Sequence, residues 1–384
     1  MPNRGYTYPR VREIGRKMKY VNLHDICKPK QWKTISISEL HESGFPVYGA
    51  NGKIGFYDEY THKEPTLMIT CRGATCGNLH ISEPYSYING NAMALDDLDE
   101  NVVLSYLYFY LQHRGFDDVI TGSAQPQITG QGLQKVKVFL PDLPTQTQIA
   151  KILDKSTALI AKRKAQIAEL DSLVQSVFYN LFLSTKKYST IKLGNIANHI
   201  SSGSTPKGGR EVYKTSGVLF IRSQNVLMNE IIYDDISFID ENTHKTMKRS
   251  QLKKNDVLLN ITGASIGRVA VFEGEDDSAN TNQHVAAIRI SDKQYLPYFI
   301  SYFIASDYQQ NIIKGICNGG TREALNYQQI RDFDIPQVPL DEQKFFLKIV
   351  QKIQTQKSHL QQSLAELETQ HQALMQRAFR GELV

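Results

Sequence analysis

The chain has 384 residues, 41% hydrophobic and 22% charged, with a formal net charge of +5. That length holds two to three domains with sizeable cores, and the mild positive charge is compatible with nucleic acid without being diagnostic of it. No apolar run approaches the roughly 18–20 residues of a membrane span. Four cysteines without a regular pattern argue against a disulfide scaffold and for a reducing cytoplasm.

Residues 1–19 are basic and lack the apolar core of a signal peptide. They read as an N-terminal extension, with a later start at Met18 as the other reading. Residues 20–143 read as a first mixed globular domain. Short apolar runs at 66–70 (TLMIT) and 135–140 (KVKVFL) sit between Gly, Asn and Pro, the punctuation of short strands. Asn51–Gly52 within 48–57 (YGANGKIGFY) predicts a hairpin turn. Residues 101–114 predict a helix. Cys71, Cys76 and His80 lack the spacing of common zinc motifs and have no counterparts further on, so they read as strand and loop residues.

A long helix is predicted next, over 144–185. Its apolar seam is Ile152, Ser156, Leu159, Arg163, Ile167, Leu170, Val174, Val177 and Leu181. A second globular domain spans 186–338, with strand-like runs at 217–222, 256–262, 267–272 and 284–290 and a helical stretch at 295–313. A second long helix covers 339–384. Its seam is Ile349, Ile353, Gln356, Leu360, Leu364, Leu367, His371, Leu374 and Ala378, with the same steps of three and four as the first seam at an offset of 197. Alternating threes and fours is coiled-coil spacing, and a doubled four is a local stutter. About 38 helical residues reach roughly 57 Å, too long to bury the stripe on a small domain. The two helices are therefore expected to pack on each other, with Ser156, Arg163, Gln356 and His371 setting register.

The domains also echo one another. Residues 69–81 (ITCRGATCGNLHI) match 260–272 (NITGASIGRVAVF), with Gly73 and Gly77 each 190 residues before Gly263 and Gly267. Residues 21–27 match 191–197, and both helices follow a Pro-x-x-Pro pair with a Gln four residues on, Pro144 to Gln148 and Pro339 to Gln343. Blocks repeated in one order mean a tandem duplication. The fold class is α/β (α+β): two tandem globular domains, each followed by a long helix, the helices pairing as a coiled coil.

Catalytic signatures are missing from the sequence. No dinucleotide fingerprint, phosphate-loop lysine or nucleophile elbow occurs. The Asn/Asp-Pro-Pro-aromatic motif of amino-methyltransferases is also lacking, and no acidic cluster suggests a metal. What recurs is loop chemistry. Small-residue loops let backbone amides approach phosphates, Asn and Gln pair with adenine edges, and Arg pairs with guanine. The candidate DNA contacts in the first domain are Asn51, Lys53, Arg72, Thr75, Asn78, Asn91, Gln125 and Gln127. In the second they are Thr205, Lys207, Arg222, Gln224, Asn225, Thr262, Ser265, Arg268, Asn282, Gln283 and Arg322.

The paired Pro-x-x-Pro…Gln starts, the Gly-Ala-Ser/Thr-x-Gly loops, VYGANGKIGFY, GSTPKGG and the closing RAFRGEL resemble the specificity (S) subunit of type I restriction-modification systems. The resemblance covers about residues 20 to 384. It implies two target-recognition domains, each reading half of a bipartite DNA site, and long helices paired as an antiparallel coiled coil, a spacer that docks two modification (M) subunits. Those subunits bring S-adenosylmethionine and methylate adenine. Restriction (R) subunits, with ATP and Mg, are an optional addition. One departure is Thr147 where the second helix carries Glu342. On this reading the chain is a non-catalytic reader of DNA in the cytoplasm. The alternatives are the specificity module of a methylation-only or other defence system, a stand-alone DNA methyltransferase or nuclease, and a coiled-coil scaffold with no DNA role.

Overall fold

A computed structural model describes residues 19–122, 125–185, 188–206, 208, 212–317 and 324–383. The predicted extension lies outside them except for Lys19, which instead opens a strand paired to Leu140. The first half contains β1 (Lys19–Asn22), β2 (Lys28–Gln31), β3 (Phe45–Gly49), β4 (Gly52–Tyr57), β5 (Leu67–Thr70), β6 (Leu79–Ile81), β7 (Tyr87–Ile88), β8 (Ala92–Asp96) and β9 (Lys137–Leu140). Helices α1 (Leu104–Arg114), α2 (Gly130–Leu133) and the long α3 (Leu143–Phe178) complete it. The second half contains β10 (Thr190–Lys192), β11 (Ala197–Ser202), β12 (Val218–Ile221), β13 (Ser237–Ile239), β14 (Val257–Asn260), β15 (Val269–Val271), β16 (Ala279–Thr281), β17 (Val285–Ile290) and β18 (Asp334–Pro336). Its helices are α4 (Leu193–Ile196), α5 (Glu241–Thr246), α6 (Pro297–Ala305), α7 (Asp307–Cys317), α8 (Tyr327–Arg331) and the long α9 (Leu340–Phe379).

Each half builds the same three sheets. In the first, β2-β8-β5-β6 is antiparallel, β4-β3-β7 joins a hairpin to a parallel pair, and β1 pairs with β9. In the second, β11-β17-β14-β15, β13-β12-β16 and β10-β18 repeat those orders and senses. The duplication is thus one of topology. The inner strands β5 and β14 are buried at every residue, which is why they read as continuous apolar runs rather than alternating ones. The predicted hairpin turn lies between β3 and β4, where Gly52 adopts φ +86°, a conformation open to glycine at little steric cost.

The chain divides into two compact units, residues 1–165 with 361–384, and residues 166–360. Each unit holds one globular half and a stretch of both long helices. In the first unit Ile149 and Leu153 of α3 and Met375, Ala378 and Phe379 of α9 join the core of Leu67, Ile69, Tyr106 and Phe109. In the second, Phe178 of α3 and Phe346 of α9 meet edge-to-face at 5.2 Å over Phe299 and Phe303. Burying a phenylalanine in this way contributes about 1.5–3 kcal/mol. The helix stripes are therefore covered both by each other and by the globular cores.

The helices run antiparallel within each unit. Ser156 Oγ lies 3.1 Å from His371 Nδ1, and Lys164 reaches Glu368 at 2.8 Å. Asp171 meets Lys357 at 2.7 Å, ahead of the Phe178–Phe346 contact. Residue numbers rise along one helix as they fall along the other.

Two predicted registers need correction. Leu159 is 54% exposed, and Gln356 is exposed too. Their neighbours Ile160 and Lys357 turn inward instead. The seam becomes Leu153 (buried, in place of the half-buried Ile152), Ser156, Ile160, Arg163, Ile167, Leu170, Val174 on α3 and Val350 (buried, in place of the half-buried Ile349), Ile353, Lys357, Leu360, Leu364, Leu367, His371 on α9. Threes and fours alternate without the predicted stutter. The slip occurs at equivalent positions in both helices: Leu159 stays exposed, and Lys357 buries its stem while its ammonium pairs with Asp171. Leu181 is also exposed, and Phe182 takes its place in the core, inside a π-helical turn, Tyr179–Leu183.

The second correction concerns the helix starts. Gln146, not Gln148, matches Gln343. Both are buried, and each accepts a backbone N–H at 2.9 Å through its side-chain oxygen, from Val103 and Leu296 respectively. The offset is 197, as in the seams. Pro144 and Pro339 are therefore two residues out of register with the helices they introduce, and Thr145 rather than Thr147 stands where the second helix has Glu342.

Candidate nucleic-acid interface

The loop after β5 and the loop after β14 are the same object. Gly77 N–H donates to Thr70 O and Thr70 N–H to Asn78 O, both at 2.8 Å. Their counterparts are Gly267 to Asn260 at 2.9 Å and Asn260 to Arg268 at 2.8 Å. Cys76 closes onto Gly73 as Ile266 closes onto Gly263, both at 3.0 Å. Gly73, Gly77, Gly263 and Gly267 have φ between +74° and +94°, so the repeated glycines are turn-makers.

Other loops dock onto this one in the first unit. Cys71 N–H donates to Asn91 O at 3.2 Å, Ile128 N–H to Cys71 O at 3.0 Å, and Gly73 N–H to Pro126 O at 3.0 Å. Thr75 Oγ1 donates to Asn51 Oδ1 at 3.0 Å, and Thr70 Oγ1 to Ala50 O at 2.5 Å. Asn51, Arg72, Thr75, Asn91, Gln125 and Gln127 are thus gathered at one edge of the unit, and all but the half-buried Thr75 are exposed. Cys71 is occupied within this framework. It receives the Gln31 amide at 3.0 Å and donates to Asn91 O at 3.2 Å. Burial pushes its thiol up, against the Gln31 hydrogen bond and the Arg72 charge. Among the described residues no three His, Cys, Asp or Glu side chains are grouped to hold a metal.

The second unit repeats the docking. Ile261 N–H donates to His284 O and Leu325 N–H to Ile261 O, both at 2.9 Å. Thr205 Oγ1 donates to Gln283 Oε1 at 2.5 Å. His284 lies between Gln283 (2.9 Å) and Thr262 (2.5 Å). The two edges thus share a backbone and differ in side chains.

A family model described as the type I restriction modification DNA specificity domain matches the chain twice, over residues 15–171 and 185–369. The chain belongs to the type I restriction-modification DNA specificity family. It is 26% identical over 341 residues to a type I restriction enzyme specificity subunit from Haemophilus influenzae described as putative, covering 83% of this chain and 82% of that one. It is 20% identical to the MjaVIII specificity subunit of Methanocaldococcus jannaschii, covering 87% and 88%. Among solved structures, the S subunit of M. genitalium shares the fold with a TM-score of 0.57 at 16% identity, covering 97% of this chain and 99% of that one. The chain is a specificity subunit with two DNA-recognition domains, and no described helix is long and apolar enough to cross a membrane.

In this family setting the predicted contacts sort into three groups. Arg72, Asn78, Asn91, Gln125, Gln127, Arg268 and Gln283 are exposed. Lys53 is exposed but paired with Glu83 at 3.3 Å and lies over the Phe56 ring, Ser265 is half-buried in its turn, and Thr262 is held by His284. A third group does structural work. Asn225 is fully buried and donates to Ile232 O at 3.3 Å, and Asn282 is 8% exposed and caps the His284 N–H at 3.1 Å. These two are corrected from base readers to loop braces, because a short amide in a turn (Asn225) or ahead of a strand (Asn282) satisfies backbone groups that the turn leaves unpaired. Arg222 donates to Asp235 O at 2.7 Å and Gln224 to Asp235 Oδ2 at 2.8 Å, which ties both to a neighbouring turn. Lys207 and Arg322 lie outside the described residues. Sequence reasoning missed Gln31 and His284. The only signal for His284 was its place beside Gln283 in 280–288 (NTNQHVAAI).

Proposed function

We propose that each recognition domain reads one half of a bipartite duplex site through its gathered loop edge. Exposed amides such as Asn91, Gln127 and Gln283 contact base edges, while Arg72, Arg268 and loop amides hold phosphates. The long helices dock methyltransferase subunits, two per chain, which supply S-adenosylmethionine and carry out adenine methylation. Restriction subunits using ATP and Mg join where the system encodes them. The assembly works in the cytoplasm, where chromosome and incoming DNA meet.

The observation that carries this reading is the repeated loop edge, conserved between halves in backbone hydrogen bonds and divergent in exposed side chains. A catalytic centre would instead need one set of reactive groups brought together. The test is a domain swap within the full assembly. Replacing residues 20–140 with the equivalent part of another specificity subunit should change one half-site in the methylated sequence and leave the other intact. A change in both half-sites would overturn modular reading, and methyl transfer by the purified chain alone would overturn the non-catalytic assignment.

A further inference from the structure

Four side chains in the second unit form a continuous chain of hydrogen bonds: Thr262, His284, Gln283 and Thr205. We propose that His284 is a positioning residue for sequence choice, and that it orients Gln283 to read one adenine in the half-site of the second domain. The inference rests on the DNA-reading function proposed above and adds the residue, the base and the device.

The bonding pattern determines the roles. Gln283 Oε1 accepts from Thr205 at 2.5 Å, which leaves the amide nitrogen facing His284 Nε2 at 2.9 Å. An amide nitrogen only donates, so Nε2 accepts. The imidazole proton then sits on Nδ1 and is donated to Thr262 Oγ1 at 2.5 Å. Two flanks of the Gln283 amide are now occupied. One amide hydrogen and one oxygen lone pair remain. These are the donor and acceptor that the major-groove edge of adenine needs, at N7 and the 6-amino group. Gln283 itself is exposed.

The backbone beneath this array is built to hold it. Gly203 N–H donates to Asn282 O at 3.1 Å, and a Cβ on Gly203 would lie 1.7 Å from Thr281 O. Only glycine lets the loop bearing Thr205 run this close to the strand leading into Gln283. Asn282 Oδ1 accepts His284 N–H at 3.1 Å, which sets the start of β17. Thr262 belongs to the repeated loop after β14. The array therefore joins three separate loops through side chains.

Among the described residues, the first unit lacks the device. Asn91 O accepts from Cys71 N–H as His284 O accepts from Ile261 N–H, so Asn91 is the counterpart of His284. Gly90 is then the counterpart of Gln283, and a Cβ there would meet Trp32 O at 2.5 Å. A side chain is excluded in one reader and locked in place in the other. An ordered amide loses less rotamer freedom on binding and discriminates more sharply because its wrong-base alternatives leave buried polar groups unpaired.

The experiment is selection from duplexes with a randomised core, using the full chain assembled with its methyltransferase subunits, wild type and variants in parallel. Gln283→Ala and His284→Ala should relax preference at the same adenine position of one half-site, by roughly tenfold or more, with every other position unchanged. Thr262→Val, nearly isosteric, should relax that position as well while keeping the fold, and it answers the question if His284→Ala fails to assemble. A uniform loss of affinity with the wild-type base preferences retained would reduce His284 to a structural residue and overturn the inference. So would unchanged preferences in all three variants, or a preference at the affected position for a base other than adenine. A wild-type assembly that enriches no sequence would overturn the DNA-reading function itself, and the two failures are thereby distinguished.

Discussion

Gln146 and Gln343 make the same three hydrogen bonds in the two halves of the chain. Gln146 accepts from Val103 N–H and donates to Asn101 O and Pro141 O at 2.9, 2.9 and 2.8 Å. Gln343 accepts from Leu296 N–H and donates to Gln294 O and Val338 O at 2.9, 2.8 and 2.8 Å. Each buried amide ties the start of a long helix to the segment that leads into a domain helix. Removing it leaves one N–H and two carbonyls without their partner, at about 1–3 kcal/mol per unsatisfied group.

Gln146→Ala and Gln343→Ala should therefore each lower stability by about 2–4 kcal/mol, allowing for partial relaxation, while Gln148→Ala stays within about 0.5 kcal/mol. Urea unfolding of the three variants checks this. Equal effects for Gln146 and Gln148 would restore the register suggested by the proline pairs.

Gly203→Ala tests the loop brace. With its Cβ 1.7 Å from the Thr281 carbonyl, backbone must move, at about 1–3 kcal/mol of destabilisation by analogy with overpacked sites. Gly315→Ala, on α7 with nothing within 4 Å of its added Cβ, should be neutral or stabilising by a few tenths of a kcal/mol through helix propensity. The Gly203→Ala melt should fall while the Gly315→Ala melt holds or rises, and a lowered melt for both would point to general intolerance of substitution.

His371 links the helix seam to pH. Burial holds its imidazole below its ordinary value, while Nδ1 faces Ser156 at 3.1 Å. The folded value is lower than the unfolded one, so the neutral ring is the stabilising form. That contribution is present above about pH 6.5 and is lost as pH falls through the folded value. His113 is shifted in the same direction by burial and Arg380, so the comparison must be differential. His371→Gln should reduce the wild-type loss of stability as pH falls below about 6.5. Identical pH curves would remove His371 from the account.

Helix length should set half-site spacing if the spacer acts as a ruler. Inserting seven residues into α3 after Ala165 and seven into α9 before Gln361 preserves the alternation of threes and fours in both seams. Each helix lengthens by about 10.5 Å, close to three base pairs at about 3.4 Å each. The gap between methylated half-sites should widen by about three base pairs. An unchanged gap in an active assembly would show that something other than the helices measures the DNA.

Much of this organisation was legible in the chain. The glycines at 73, 77, 263 and 267 reported the repeated loop because positive φ restricts those positions to few residue types, whatever the surroundings. Helix length was legible because an unbroken stretch without Gly or Pro leaves the backbone a single economical conformation. Which helix face turned inward was harder to read. Leu159 and Gln356 sit one residue from their true seam positions, and a single turn of α-helix offers two neighbouring rows with nearly equal claims. Only the actual partner surface chose between them.

The loop edge divides along the same line. Sequence alone marked Gln283, Thr205 and Thr262 as polar loop residues and placed Asn225 and Asn282 with them. Tertiary structure separated the exposed amide from the two buried braces and brought in His284. Local chemistry depends on residue type and near neighbours, and so is written along the chain. Which polar group stays exposed and which is consumed by its neighbours depends on loops 57 and 78 residues apart, Thr205 to Thr262 and Thr205 to Gln283, and only the packed domain brings them together.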